Sequence, residues 1–366
     1  MEGILRFTPA VFAVEDNYQI FIPVSAPTVM WVEVGCECYY HHSNGVLVSD
    51  TALHRITVPA GALDLAGEYT VCYRQMIERK PYFSVTGDIE RVTFPFRPLP
   101  HGKFNAFQIA DAHGMADAPV AAAEYFERTY GKIDLLILNG DVINHSGELE
   151  YFDIFFELNE RITHGSAPVI FSRGNHDTRG IYAEKIADYS PTRNGESYFT
   201  FRLGSLWGIV LDCGEDKPDT HEEYGNTNCC HAFRRYETAY LKAVAECGEY
   251  LDESITHRLV IAHNPFTKKY RHPFNIEEEL FAEWISVLND KIKPDMLLAG
   301  HLHRLMTVHP GDEDDAYGQK FPTVVGSLPD LNKKTFAGCG LIFSDKNIEV
   351  VFCDSEKTLE KEVFEK

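Results

Sequence analysis

Five apolar runs in this chain each end in residues that can hold a metal ion. Phe107–Ala110 leads into Asp111-Ala112-His113, Leu135–Leu138 into Asn139-Gly140-Asp141, and Val169–Phe171 into Asn175-His176-Asp177. Leu259–Ala262 ends in His263, and Met296–Ala299 in Gly300-His301-Leu302-His303. Setting His176 aside, the donors are Asp111, Asp141 and Asn175 with His113, His263, His301 and His303. This set exceeds what one tetrahedral ion accepts. It suits two ions sharing a carboxylate, the arrangement of two-metal hydrolytic sites. Mixed nitrogen and oxygen donors favour Mn, Fe, Zn or Co over Mg or Ca. His176 is an acid–base group near neutral pH, and the adjacent Asp177 is a candidate to hold its imidazole by hydrogen bonding. Asp111 with His113, and His301 with His303, are two apart, so in extended backbone each pair points to one side.

Donors of this kind need strand ends gathered on one edge of an α/β sheet. The pattern after about residue 103 supplies them, because short apolar runs alternate with helical segments. Strands are predicted at Phe104–Ala110, Ile133–Leu138, Val169–Phe171, Arg258–Ala262 and Met296–Ala299, and a hairpin at Tyr198–Leu203 and Leu206–Leu211. Helices are predicted at Pro119–Thr129, Glu148–Thr163, Ala232–Tyr250 and Glu277–Leu288, with a loop over Asp212–Cys230. Residues 1–98 read differently. Runs such as Tyr18–Val24, Thr28–Val34, Glu68–Met76 and Glu90–Phe96 are β-branched or aromatic and punctuated by Gly, Pro, Ser and Asn, the pattern of a small antiparallel sandwich of the immunoglobulin or fibronectin III kind. Arg97–Gly102 is a linker, residues 99–354 form the α/β domain, and residues 355–366 are a charged tail expected to be a frayed helix. His41 and His42 are expected to be solvated.

With 366 residues and 44% hydrophobic content the chain can bury a sizeable core, and it contains no run of about 18 apolar residues that would span a membrane. Its start lacks the basic and apolar segments of a signal peptide, so a cytoplasmic location is expected. A formal net charge of −21 argues against a broad nucleic-acid or anionic-membrane surface, so a phosphate site needs strong local positive charge such as bound metal. Nine cysteines are an odd number and are expected to be reduced; Cys36 and Cys38 are expected to be core residues rather than zinc ligands.

All five blocks together resemble the calcineurin-like metallophosphoesterases over about residues 104–353. The resemblance implies two packed mixed sheets flanked by helices, a four-layer αββα core. It implies that Asp111, His113, Asp141 and His303 hold one metal, and that Asp141, as bridge, with Asn175, His263 and His301 holds the other. Mn, Fe or Zn are the ions it implies. Hydrolysis of a small phosphoester by a metal-bridging hydroxide follows, with His176 assisting the leaving group and Asp177 steadying it. Arg173, Arg179 and Asn144 are candidates for substrate contact. A sandwich ahead of such a domain is similar in arrangement to the purple acid phosphatases. Those place tyrosine three residues after the bridging Asp, where this chain has Asn144. They lack a histidine at the position of His113, and have Glu at the position of Asp177.

Two other readings compete. Cys229 and Arg235 have the spacing of a cysteine-dependent phosphatase loop, but no glycine lies between them to cradle phosphate. The alternative of another class is a non-catalytic, metal-bound scaffold or binding protein of the same fold. Such a chain is expected to have lost ligands or the active-site histidine, and this one has lost neither.

Overall fold

The computed structural model describes residues 3–365, so residues 1, 2 and 366 of the expected terminal regions lie outside the described residues. Two mixed sheets pack face to face. In the first, Thr358–Glu365, Asn347–Cys353, Thr335–Phe343, Phe104–Ile109, Leu135–Asn139, Pro168–Ser172, Ala10–Val14, Asn17–Pro23 and Leu53–Pro59 lie side by side. In the second the order is Phe199–Leu203, Leu206–Val210, His257–Ile261, Met296–Ala299, Thr323–Asp330 and Arg304–Val308. The sheets join where Leu328–Asp330 pairs with Thr335–Ala337.

Side-chain alternation along these strands builds the layers. Phe104, Ala106, Leu135 and Ile137 point between the sheets, where they meet Leu259, Ile261, Met296 and Leu298. Phe107, Ile109, Leu136 and Leu138 point outward beneath the helices Asp117–Tyr130 and Asp153–Thr163. Val260 and Leu297 point out on the opposite side, beneath the helices Cys230–Cys247 and Glu278–Val287. Asp117–Tyr130 presents Val120, Ala123 and Phe126 at helical spacing and ends at Gly131, whose φ of 106° few other residues adopt. Burial of Phe126 or Phe155 contributes about 1.5–3 kcal/mol each. The expected αββα core is thus present, together with a small antiparallel sheet, Glu90–Pro95, Glu68–Glu78, Thr28–Val34 and Glu37–Tyr40, near the N-terminus. No helix among the described residues is long and apolar enough to cross a membrane.

Several expectations are corrected. The break at residue 98 is not a break in the sheet. Ala10–Val14, which the sequence reading passed over, pairs in parallel with Pro168–Ser172, and Met30, Val32 and Val71 share one continuous core with Ile137 and Leu259. The tail is a strand: Thr358–Glu365 pairs antiparallel with Asn347–Cys353, because Val363 and Phe364 have a sheet edge to complete. Cys36 and Cys38 are exposed, since Gly35 and Cys36 form the turn that leads into an edge strand. All nine cysteines are free thiols. His41 is half-buried, with its Nδ1 2.9 Å from Nδ1 of the fully buried His54.

Candidate metal centre

Three neighbouring parallel strands, Phe104–Ile109, Leu135–Asn139 and Pro168–Ser172, deliver Asp111, Asp141 and Asn175 to one edge of the first sheet. The parallel pair His257–Ile261 and Met296–Ala299 delivers His263, His301 and His303 to the same edge of the second. Two buried amides tie these ends together. Gln108 Nε2 donates to the Ala299 carbonyl at 2.9 Å, and Asn139 Nδ2 to the Leu298 carbonyl at 3.1 Å.

The donors converge by left-handed backbone rather than by the extended geometry their spacing suggested. φ is 53° at Asp111, 47° at His113, 51° at Asp141, 69° at His301 and 50° at His303. Each such non-glycine residue costs about 1–3 kcal/mol, a strain that collects at functional sites. The close approach needs glycine as well. A Cβ on Gly174 would lie 2.2 Å from Asp141 Oδ1, and one on Gly140, itself at φ 76°, would lie 2.5 Å from His263 Nδ1.

Three groups of donors form here, of which one joins His113 and Asp141 with His176 and the other two centre on Asp111 and Asp141. Asp111, His113 and His303 make one, and Asp141, His263 and His301 the other. His113 Nε2 is 3.0 Å from His303 Nε2, His263 Nε2 is 3.1 Å from Asp141 Oδ2, and His301 Nδ1 is 3.0 Å from Asn175 Oδ1. Donors bound to one ion at about 2.0–2.2 Å stand about 3 Å apart, so these spacings are those of a coordination shell.

Unpaired atoms test the fit. His263 donates from Nδ1 to the Asn139 carbonyl at 2.7 Å, which leaves the buried Nε2 facing carboxylates without a hydrogen bond. Asn175 Oδ1 likewise faces acceptors. Turning the amide over would let Nδ2 donate to His301 Nδ1 and to Asp141 Oδ2 at 3.3 Å. A cation between these atoms makes that turn unnecessary, and the donor set, nitrogen and oxygen without thiolate, suits a divalent transition metal.

The electrostatics agree. Burial would raise the carboxyls of Asp111 and Asp141, but His263 overrides it and holds both below the usual range. Burial would lower His263, yet Asp141 and Asp111 drive it up to about 10. Burial depresses His113 to about 4 and lowers His301 as well. Without metal, therefore, a proton on His263 supplies the positive charge this centre demands. That proton favours folding below the ordinary imidazole value of about 6.5, and the advantage is lost as pH rises through about 10. Chelated protein is expected to lose thermal stability across this window more steeply than its His263→Asn variant. Saturating Mn or Zn should erase the difference, because a ligating imidazole is neutral. Equal slopes for the two chelated proteins would show that His263 does not carry the proton.

His176 lies at the rim, its ring 4.7 Å from that of His113. Its backbone N–H donates to Asp141 Oδ1 at 2.7 Å. Asp177 does not hold its imidazole. His176 Nδ1 meets the backbone carbonyl of Asn144 at 2.9 Å, while Asp177 Oδ2 accepts from the N–H of Gly174 at 2.7 Å and of Asp141 at 3.2 Å. The short helical turn His176–Thr178 rotates the carboxylate inward, beneath the metal donors. Its burial and the charge of Asp141 raise the Asp177 carboxyl to about 7. Asp177→Ala is thus expected to weaken metal affinity roughly 10–100-fold, the cost of losing an outer support. Alkyl and aryl esters should suffer alike. A loss confined to alkyl esters would restore Asp177 to the imidazole.

The expected arginines are committed elsewhere. Arg173 pairs with the buried Asp212 at 2.6 Å. Arg179 forks onto Glu215, with Nε to Oε1 at 3.0 Å and Nη2 to Oε2 at 2.8 Å. Neither projects as a free phosphate ligand, and Asn144 contributes its carbonyl to His176. Two residues were missed. Asp216 Oδ2 stands 3.6 Å from His301 Nε2 and so backs the ring whose Nδ1 faces Asn175. Ser327 donates its hydroxyl to Asp111 Oδ2. Asp216 lies in the Asp212–Cys230 loop, where nothing marks it among 55 acidic residues.

Residues 104–305 match the calcineurin-like phosphoesterase family. None of the curated proteins matches. A purple acid phosphatase from yellow lupin (Lupinus luteus) seeds superposes with a TM-score of 0.60 at 12% identity, covering 98% of this chain and 74% of that one. GAP50, the anchor in the inner membrane complex of Plasmodium, gives 0.45 at 13% identity over 72% of this chain and 89% of its own. The lupin likeness extends through the N-terminal sheet and concerns the fold. The family match spans more than half of the residues and contains both donor groups. On that ground this chain belongs to the calcineurin-like phosphoesterases.

Proposed function

We propose that this protein hydrolyses phosphoesters with two divalent transition-metal ions, Mn, Fe or Zn. Asp111, His113, Asp141 and His303 would hold one, and Asp141, Asn175, His263 and His301 the other. When bound, such ions polarise a phosphoryl oxygen and lower the pKa of water. The residues of the chain do the rest. Asp141 carries the charge between the two positions and, through Oδ1, fixes the backbone of His176. The Asn144 carbonyl takes Nδ1–H of His176, which aims Nε2 away from that anchor. Nε2 can then give a proton to a departing oxygen. The buried Asp111, Asp141 and Asn175 keep bulk water from competing for the donor positions.

The carrying observation is that two groups of donors at about 3 Å spacing meet at two neighbouring carboxylates. Protein purified without chelator, or reconstituted with Mn or Zn, is expected to hold about two ions per chain. It should turn over a generic aryl phosphoester only in that state. A stoichiometry below one defeats the two-metal reading. Two bound ions with no turnover of any monoester or diester would favour a metal-bound scaffold of the same fold.

A further inference from the structure

Beside the metal centre lies a cavity of about 320 Å³, within the roughly 300–1,000 Å³ range of small-molecule sites. It shares His301 and Asp216 with the centre. Its walls are aromatic. Phe266 and Phe281 are buried with ring centroids 5.6 Å apart, and Trp284 backs them at 5.2 and 5.3 Å. Phe274 stands 39% exposed, Tyr270 and Tyr317 add further rings, and Glu278 is among the polar lining residues.

Two lining residues each carry a buried polar atom with no hydrogen-bond partner, Asn264 Oδ1 and the Tyr270 hydroxyl. An unpaired buried polar atom is costly, and a ligand that pairs it is favoured over one that does not. The lysines at the edge are engaged. Lys268 pairs with Asp314 at 2.7 Å, and Lys269 donates to the Glu313 carbonyl at 2.9 Å. The cavity therefore presents ring faces and amide and hydroxyl edges rather than a bare cation.

We propose that this cavity receives the organic part of the alcohol released when the P–O bond breaks, and that this part carries a planar ring with hydrogen-bonding edges, as the base of a nucleoside does. The proposal rests on the phosphoesterase reading above, and it names the substrate class of that site. A purely aliphatic group would fill the volume but leave Asn264 and Tyr270 unpaired. A flat heteroaromatic ring stacks on Phe274 or Tyr317 and can meet both polar atoms.

The test does not need turnover. Adenosine, guanosine, cytidine and uridine would be titrated calorimetrically into the full chain, metal-loaded and chelated, with glycerol and cyclohexanol as comparators. At least one nucleoside is expected to bind ten or more times tighter than either comparator. Phe274→Ala, at an exposed position, and Asn264→Ala should each weaken that binding about 10-fold, within the usual worth of one stacked base or buried hydrogen bond. A thermal melt would confirm that each variant is folded. Failure of all four nucleosides, or binding indifferent to both cavity substitutions, overturns the proposal. Nucleoside binding without turnover of any phosphoester would sink the catalytic reading and leave the cavity assignment standing. Turnover of phosphoesters without nucleoside binding would do the reverse.

Discussion

Replacing Asp141 by Asn is expected to deplete both metal positions at once. The side chain keeps its shape but loses the charge that both donor groups share. In the folded protein that charge is compensated from several sides. His263 Nε2 lies 3.1 Å from Asp141 Oδ2 on one side, and the His176 N–H donates to Oδ1 on another. An amide in this place turns one acceptor into a donor aimed at imidazoles that need to stay neutral for metal. Elemental analysis should find metal content well below that of the wild type. Turnover should fall by more than the roughly 10–100-fold that loss of an outer-shell partner costs. Asp111→Asn should deplete one position more than the other, because only His113 and His303 group with it. Full occupancy in Asp141→Asn with a near-normal rate would mean that the bridge is elsewhere.

His176→Asn should separate chemistry from metal binding. The imidazole lies close enough to His113 and Asp141 to form a third donor group with them, so geometry alone allows it to be a ligand. Its Nδ1, however, is occupied by the Asn144 carbonyl, and its exposure at the rim suits a role toward substrate. The variant is therefore expected to keep its metal. Turnover of alkyl phosphoesters should drop roughly 10²–10⁴-fold, the usual worth of a positioned acid. Activated aryl esters, whose leaving oxygens need little protonation, should lose less. Equal losses for both ester types would replace proton donation by electrostatic positioning. Loss of metal would make His176 a ligand.

The metal donors were legible in the chain because each follows an apolar strand, and strand ends in an α/β sheet share an edge. Period-two alternation in Phe104–Ile109 and Leu135–Asn139 already divides inner from outer face, so the layered core was readable as well. What local pattern could not settle was anything set by partners distant in sequence. Ala10–Val14 is a strand because Pro168–Ser172, some 150 residues on, offers it a parallel edge. That partner cannot be inferred from a window of ten residues. The same pairing makes the N-terminal segment part of the sheet that carries Asp111, Asp141 and Asn175.

The roles of Asp177, Arg173 and Arg179 were decided in the same way. Adjacent residues invite a local hydrogen bond, and Asp177 beside His176 was such a case. A helical turn instead sends the two side chains apart, one to backbone N–H groups beneath the metals and the other to the rim. Arginines next to a phosphate site invite a phosphate contact. Burial requires a charge to be paired, and the acids that pair these two, Asp212 and Glu215, arrive from a loop with no sequence signature. Residue types and spacing thus decided which atoms this protein brings to a metal. The long-range packing of its sheets decided which side chains remain free beside those donors, because only the folded chain determines which charges neutralise one another.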